Sequence, residues 1–122
     1  MTDTIDAVLD VVAETAPDVR SGLAGRRVYD SGANPSGEQQ LEADVYADEL
    51  LAERLLDIDA IGGYASEERE SVLTGDGNYH VAVDPLDGSS NLRSNNTMGT
   101  IFAVYDEPLP ASGSALLASG FV

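Results

Sequence analysis

The chain contains no cysteine, no lysine and one histidine in 122 residues. Without cysteine there is no disulfide framework, no thiolate metal site and no cysteine nucleophile. Without lysine, 22 acidic side chains face only six arginines, for a net charge of −16. That balance excludes non-specific binding to the phosphate backbone of nucleic acids. Long apolar runs are also missing: none approaches the roughly 18 residues of a membrane span. The N-terminal MTDTIDAVLDVVAE is acidic where a secretory signal is basic. These absences point to a soluble, cytoplasmic protein with neither membrane nor nucleic acid as partner.

Hydrophobic residues make up 43% of the chain, enough for the core of one domain. Self-repulsion at this charge density weakens a compact fold at low ionic strength, and salt screening relieves it. The composition therefore resembles that of proteins from salt-loving archaea.

Ile5, Val8, Leu9 and Val12 recur at helical spacing, with Thr2, Asp3 or Thr4 as N-cap and Pro17 just past the end. Between Pro17 and Arg27, Gly22 and Gly25 interrupt a weaker second helix carrying Val19 and Leu23. Ser31 to Gly37 is dense in turn formers and reads as a loop. Leu41 to Asp57 returns to helix, with Leu41, Val45, Leu51 and Leu55 on its apolar side. Ala60 to Ala65 is too rich in glycine for a firm assignment. Tyr79 to Val83, Thr100 to Tyr105 and Leu116 to Val122 read as strands, the last either a terminal strand tucked into a sheet or a sequence cut short. Helices first and strands second argue for an α+β fold.

Three acidic clusters stand out. In Val83-Asp84-Pro85-Leu86-Asp87-Gly88-Ser89-Ser90-Asn91, Asp84 comes at the end of the expected strand and Pro85 blocks continuation of the ladder. The Leu86 carbonyl is thereby left without a sheet partner. Two carboxylates and a free carbonyl within four residues form a hard-oxygen set suited to Mg²⁺ or Mn²⁺. Gly88-Ser89-Ser90 offers consecutive N–H groups and hydroxyls for a phosphate. A surface β-turn accounts for the residue types but not for two aspartates bracketing Pro-Leu.

The second cluster, Ser66-Glu67-Glu68-Arg69-Glu70, reads in isolation as a solvated face. Asp57-x-Asp59-x-Ile61-Gly62 with Glu68 imitates a calcium-binding EF-hand loop. Ile61, however, lacks the side-chain oxygen needed there, and the segment after Glu68 is too short for an exit helix. The third cluster, Gly37-Glu38-Gln39-Gln40 leading to Asp44, places Asp44 one turn from Asp48 and near Glu42. Asp44 alone reads as helix-surface charge. The clusters acquire a joint meaning only if the fold brings them together.

Ser36-Gly37-Glu38-Gln39 running to Asp44, then Ser66-Glu67-Glu68, then Asp84 to Asn91, in that order and trailed by Gly99-Thr100-Ile101-Phe102, resemble class 1 fructose-1,6-bisphosphatases. These belong to the Mg²⁺-dependent, Li⁺-sensitive sugar-phosphatase superfamily that includes inositol monophosphatase. The resemblance covers Asn34 to Tyr105, and more weakly runs to Val122. It implies a layered α/β sandwich of the sugar-phosphatase type. Residues 1–122 would form its N-terminal portion, with paired helices packed on the first mixed sheet and the C-terminal substrate-binding half absent.

By the same resemblance Glu67, Asp84, the Leu86 carbonyl and Asp87 are metal ligands for two or more Mg²⁺ ions, with Mn²⁺ as an alternative. Glu68 and Asp44 would orient and deprotonate the attacking water, and Glu38 would complete the site from a mobile loop. Asp87, Gly88, Ser89, Ser90 and Asn91 would meet the 1-phosphate of a sugar bisphosphate. The implied reaction is hydrolysis of fructose 1,6-bisphosphate in gluconeogenesis, by a homotetramer when full-length. An inositol or other sugar phosphatase, or a non-catalytic metal-binding fragment, are the alternatives. Lone His80, inside an expected strand, reads as structural.

Overall fold

The computed structural model describes residues 2–23, 29–33, 39–88 and 98–122. Helix α1 spans Thr2–Gly22 and buries Val8, Val12, Thr15 and Val19, which return to one face every three or four residues. Leu9 falls off this stripe and is 44% exposed, contrary to its expected place on the apolar side. Pro17 lies within α1, so the helix neither stops before it nor gives way to a separate second helix.

A proline there removes one intrahelical hydrogen bond, and contacts on both sides of it hold the helix together. The Thr15 hydroxyl donates to the Val11 carbonyl at 2.6 Å. Arg54 reaches across from the second helix, its Nη1 3.2 Å from Thr15 Oγ1 and 2.7 Å from Asp18 Oδ2. Two contacts one turn apart thus flank Pro17, while Val19 beyond it packs with Ala43, Ala47 and Leu86.

Strands β1 (Tyr29–Ala33) and β2 (Gln39–Leu41) form a small antiparallel pair. Ser31 to Ala33, expected in a loop, therefore belong to a strand, while residues 34–37 lie outside those described. Helix α2, Glu42–Leu56, matches its expected position except at Leu41, which ends β2 and so does not belong to the helix's apolar side. Leu51 and Leu55 are buried as expected, whereas Val45 is only half-buried and Ala43, Ala47 and Ala52 supply the rest of the apolar face. Asp44 and Asp48 are buried on it too, which corrects the surface-charge reading of Asp44.

The remaining strands are β3 (Ile61–Ser66), β4 (Leu73–Thr74), β5 (Tyr79–Asp87), β6 (Gly99–Tyr105) and β7 (Leu116–Phe121). They make one five-stranded sheet in the order β4-β3-β5-β6-β7. Only β3 and β5 run parallel; the other neighbours are antiparallel. Both helices lie against this mixed sheet, giving the expected α+β layering. Val81, Val83, Phe102 and Val104 project from the sheet into a core with Val8, Val12, Leu51 and Leu55. The C-terminal segment forms the edge strand β7, paired with β6 and extended beyond its last residue by paired bonds between Thr100 and Val122.

Ile61, where an EF-hand would need an oxygen, is fully buried at the start of β3. His80 is half-buried on β5 with its ring against Gly63. No described helix is long and apolar enough to cross a membrane.

Candidate active site

Chain direction places the acidic clusters. Strands β3 and β5 are parallel neighbours, so their C-terminal ends emerge at the same sheet edge. The parallel register ends with Ser66 beside Val83, and the N–H of Glu67 donates to the Val83 carbonyl at 3.2 Å. Glu67, just past β3, thus comes beside Asp84 on the adjacent strand β5. Helix α2 packs on both strands and joins β3 by a tight turn, with Ile58 N–H bonding Leu55 O and Ile61 N–H bonding Ile58 O. Helix and strand therefore run back to back, and the first turn of α2, which carries Asp44, lies toward the end where β3 gives way to Glu67.

The sequence placed Asp84 at the end of its strand, but β5 continues through Pro85 and Leu86 to Asp87. Continuation is achieved by a bulge. Asp84 pairs with Ile101 and Asp87 with Gly99, so Pro85 and Leu86 together oppose the single Thr100. Proline is tolerated in a sheet at such irregularities. Two interactions secure it. Thr100 Oγ1 donates to the Pro85 carbonyl at 2.9 Å, and the Leu86 side chain is buried against Val19, Ala43 and Ala47. The extra residue allows Asp84 and Asp87 to stand together at this edge. Gly88 follows with φ of 74°, a left-handed conformation that costs a residue with a Cβ about 1–2 kcal/mol.

Asp84, Glu67 and Asp87 are each half-buried. The Asp84 carboxyl is raised from 3.8 to about 7, first by burial, then by its hydrogen bond with Glu67 and the charges of Glu67 and Asp87. A bond from the Leu86 backbone opposes the rise. Carboxylates packed this closely in a partly desolvated corner repel one another unless a proton or a cation is shared. Their oxygen donors and joint negative charge fit a hard divalent cation. Among the described residues, no three acidic or histidine side chains are already spread around one point as ligands; Glu67 and Asp84 instead bond to each other.

Asp44 is buried on α2, and Glu68 is half-buried with its Oε2 inside the protein. The Glu68 N–H donates to Ser66 Oγ at 3.1 Å and the Arg69 N–H to the Ser66 carbonyl at 3.1 Å, a turn that presents Glu67 and Glu68 just past β3. Glu38, Ser89, Ser90 and Asn91 lie outside the described residues.

Three residues beside this site were not picked out by the sequence. Asp48 accepts a hydrogen bond from the Tyr64 hydroxyl, with Oη 2.8 Å from Oδ1. It also forms an ion pair with Arg69, whose Nε is 2.6 Å from Oδ2. Burial and the Asp48 charge push the Tyr64 phenol far above its usual 10. The only hint was that Asp48 lies one helical turn from Asp44.

Comparison with known proteins identifies the family. Residues 11–117 match the family model of the fructose-1-6-bisphosphatase N-terminal domain. The class 1 fructose-1,6-bisphosphatase of Natronomonas pharaonis is 72% identical over all of this chain and 44% of its own length. That of Halobacterium salinarum is 54% identical with the same coverage. The halophilic reading of the composition fits these archaeal relatives. The crystal structure of Leishmania major fructose-1,6-bisphosphatase in holo form superposes with a TM-score of 0.76 at 26% identity, over 99% of this chain and 42% of that one. The chain thus spans less than half the length of the relatives it matches. On the motif order, the sheet and the extent of the match, it belongs to the class 1 fructose-1,6-bisphosphatase family and corresponds to its N-terminal domain.

Proposed function

We propose that this chain supplies the metal- and phosphate-binding end of a phosphomonoester hydrolase acting on fructose 1,6-bisphosphate. The observation that carries the reading is the crowding of Asp84 by Glu67 and Asp87 at the sheet edge, immediately before left-handed Gly88. Glu67, Asp84, Asp87 and the Leu86 carbonyl would hold Mg²⁺, two or more ions, or Mn²⁺ in its place. Such ions supply neutralisation of the phosphoryl oxygens and a lower pKa for water.

The chain's own residues do the rest. The N–H groups and hydroxyls of Gly88, Ser89 and Ser90, with Asp87 and Asn91 beside them, orient the 1-phosphate for in-line attack. Glu68, with Asp44, orients the attacking water and takes its proton, and Glu38 closes the site. The water oxygen bonds to phosphorus as the ester bond breaks, and the leaving oxygen takes up a proton to give fructose 6-phosphate and inorganic phosphate. Positioning and charge stabilisation dominate such transfers, which suits a site without histidine or cysteine nucleophile. The setting would be cytoplasmic gluconeogenesis, and the full assembly a homotetramer.

Mg²⁺-dependent phosphate release tests this, comparing fructose 1,6-bisphosphate with inositol monophosphate and other sugar phosphates. Glu68→Gln is expected to lower kcat by about 10²-fold or more, the usual scale for a general base, and Asp84→Asn to abolish the Mg²⁺ dependence. Preference for inositol phosphate would move the substrate assignment to that branch. The 44% span of the relatives favours one further reading, a metal-binding unit that is inactive alone; Mg²⁺ binding without phosphate release would support it.

A further inference from the structure

We infer that Arg69, Asp48 and Tyr64 are positioning residues for the Glu67-Glu68 turn, fixing it against the helix that carries Asp44. The inference rests on the reading of Glu68 and Asp44 as the pair that handles the attacking water. Neither Asp48 nor Arg69 has a place in the hydrolytic step itself, yet a buried carboxylate is costly unless its partners repay desolvation. Asp48 has two such partners, and both belong to the strand and turn that lead to Glu67 and Glu68.

Tyr64 is fully buried two residues before Ser66 and donates to Asp48 Oδ1 at 2.8 Å. Its hydroxyl also hydrogen-bonds the Ser66 side chain, and Ser66 Oγ in turn accepts the Glu68 N–H at 3.1 Å. From the other side, Arg69 Nε stands 2.6 Å from Asp48 Oδ2, and the Arg69 N–H closes the turn on the Ser66 carbonyl. Both oxygens of one helical carboxylate are therefore tied to the residues flanking Glu67 and Glu68. Asp44 lies one turn earlier on the same helix face, so the contacts that fix Asp48 also fix the helix turn bearing Asp44 relative to Glu68. A guanidinium here also places a positive charge behind a group of carboxylates that repel one another.

The test combines steady-state kinetics with amide hydrogen exchange in Arg69→Gln, Arg69→Lys and Tyr64→Phe. Arg54→Gln serves as control, because it breaks a different ion pair between the helices, the one with Asp18. Arg69→Gln is expected to lower kcat by about tenfold or more with KM within about twofold, since small misplacements of reacting groups have large rate effects. Arg69→Lys should recover part of the loss, and the Glu67 and Glu68 amides should exchange faster in Arg69→Gln and Tyr64→Phe. Arg54→Gln should lower the melting temperature and leave kcat and those amides unchanged. Unchanged kcat and exchange in Arg69→Gln and Tyr64→Phe would overturn the inference, as would an equal kcat loss in Arg54→Gln. If the wild-type protein releases no phosphate from fructose 1,6-bisphosphate with Mg²⁺, the catalytic reading falls. Exchange at Glu67 and Glu68 then still decides whether the network sets this turn.

Discussion

The backbone N–H of Glu67 donates to the carbonyl of Val83 at 3.2 Å, and this one bond sets the acidic residue after β3 beside Asp84 on β5. The Asp84 carboxyl, raised to about 7, registers the resulting crowding. Removing one charge should relieve it. In cation-free buffer at neutral pH or above, Asp84→Asn is expected to melt a few degrees higher than wild type. Added Mg²⁺ should raise the wild-type melting temperature and leave the variant's unchanged. Equal Mg²⁺ responses in a thermal shift experiment would remove Asp84 from the proposed cation site.

The bulge that brings Asp84 and Asp87 together depends on a buried hydroxyl. Thr100→Val keeps the shape of the side chain but deprives the Pro85 carbonyl of its donor at 2.9 Å. Denaturant unfolding should show a loss of about 1–3 kcal/mol, the scale of an unsatisfied buried acceptor. Weaker Mg²⁺ binding should accompany it, because the strand is no longer held in the bulged register.

Tyr64 provides an alkaline signature. Burial and Asp48 keep its proton in place well above 10, whereas the unfolded chain loses that proton near 10. A raised folded pKa contributes stability that is complete below the unfolded value and is lost as pH rises beyond it. Once the unfolded phenol is ionised, stability should fall by about 1.4 kcal/mol per pH unit from this group. Urea midpoints measured from pH 9 to pH 11 should show that slope in wild type, and Tyr64→Phe should flatten it. An identical slope in the variant would place the titration elsewhere.

Net charge of −16 predicts salt-dependent stability. Raising ionic strength from about 0.1 M to 1 M shortens the screening length from about 10 Å to about 3 Å, which weakens repulsion between exposed carboxylates. Melting temperature should therefore rise steadily between low and molar KCl. Equal stability at both would mean that self-repulsion does not limit this fold.

How far the sequence could be read depended on whether a feature is local. Asp84 to Asn91 carries its two carboxylates and its turn former, Gly88, within one short string, so the motif is legible from the residues alone. Helix α2 and strand β6 were likewise legible from spacing and β-branched content. Pro17 misled because the contacts that keep α1 intact around it come from Arg54 on another helix. Asp44 looked like surface charge because the buried face it shares with Asp48 is lined by alanines, whose burial leaves little hydrophobic pattern in α2. Pro85 read as the end of a strand because the hydroxyl that secures the bulge belongs to Thr100, on the neighbouring strand.

The sequence by itself determined the residue types: carboxylates grouped in three short motifs, no thiol, no lysine, and a net charge of −16. Only the tertiary structure decided that Glu67 and Asp84 press against one another and that Asp48 joins Tyr64 to Arg69. Residue types are local properties of the chain, whereas charge crowding and ion pairing depend on distances that strand order and chain direction alone create.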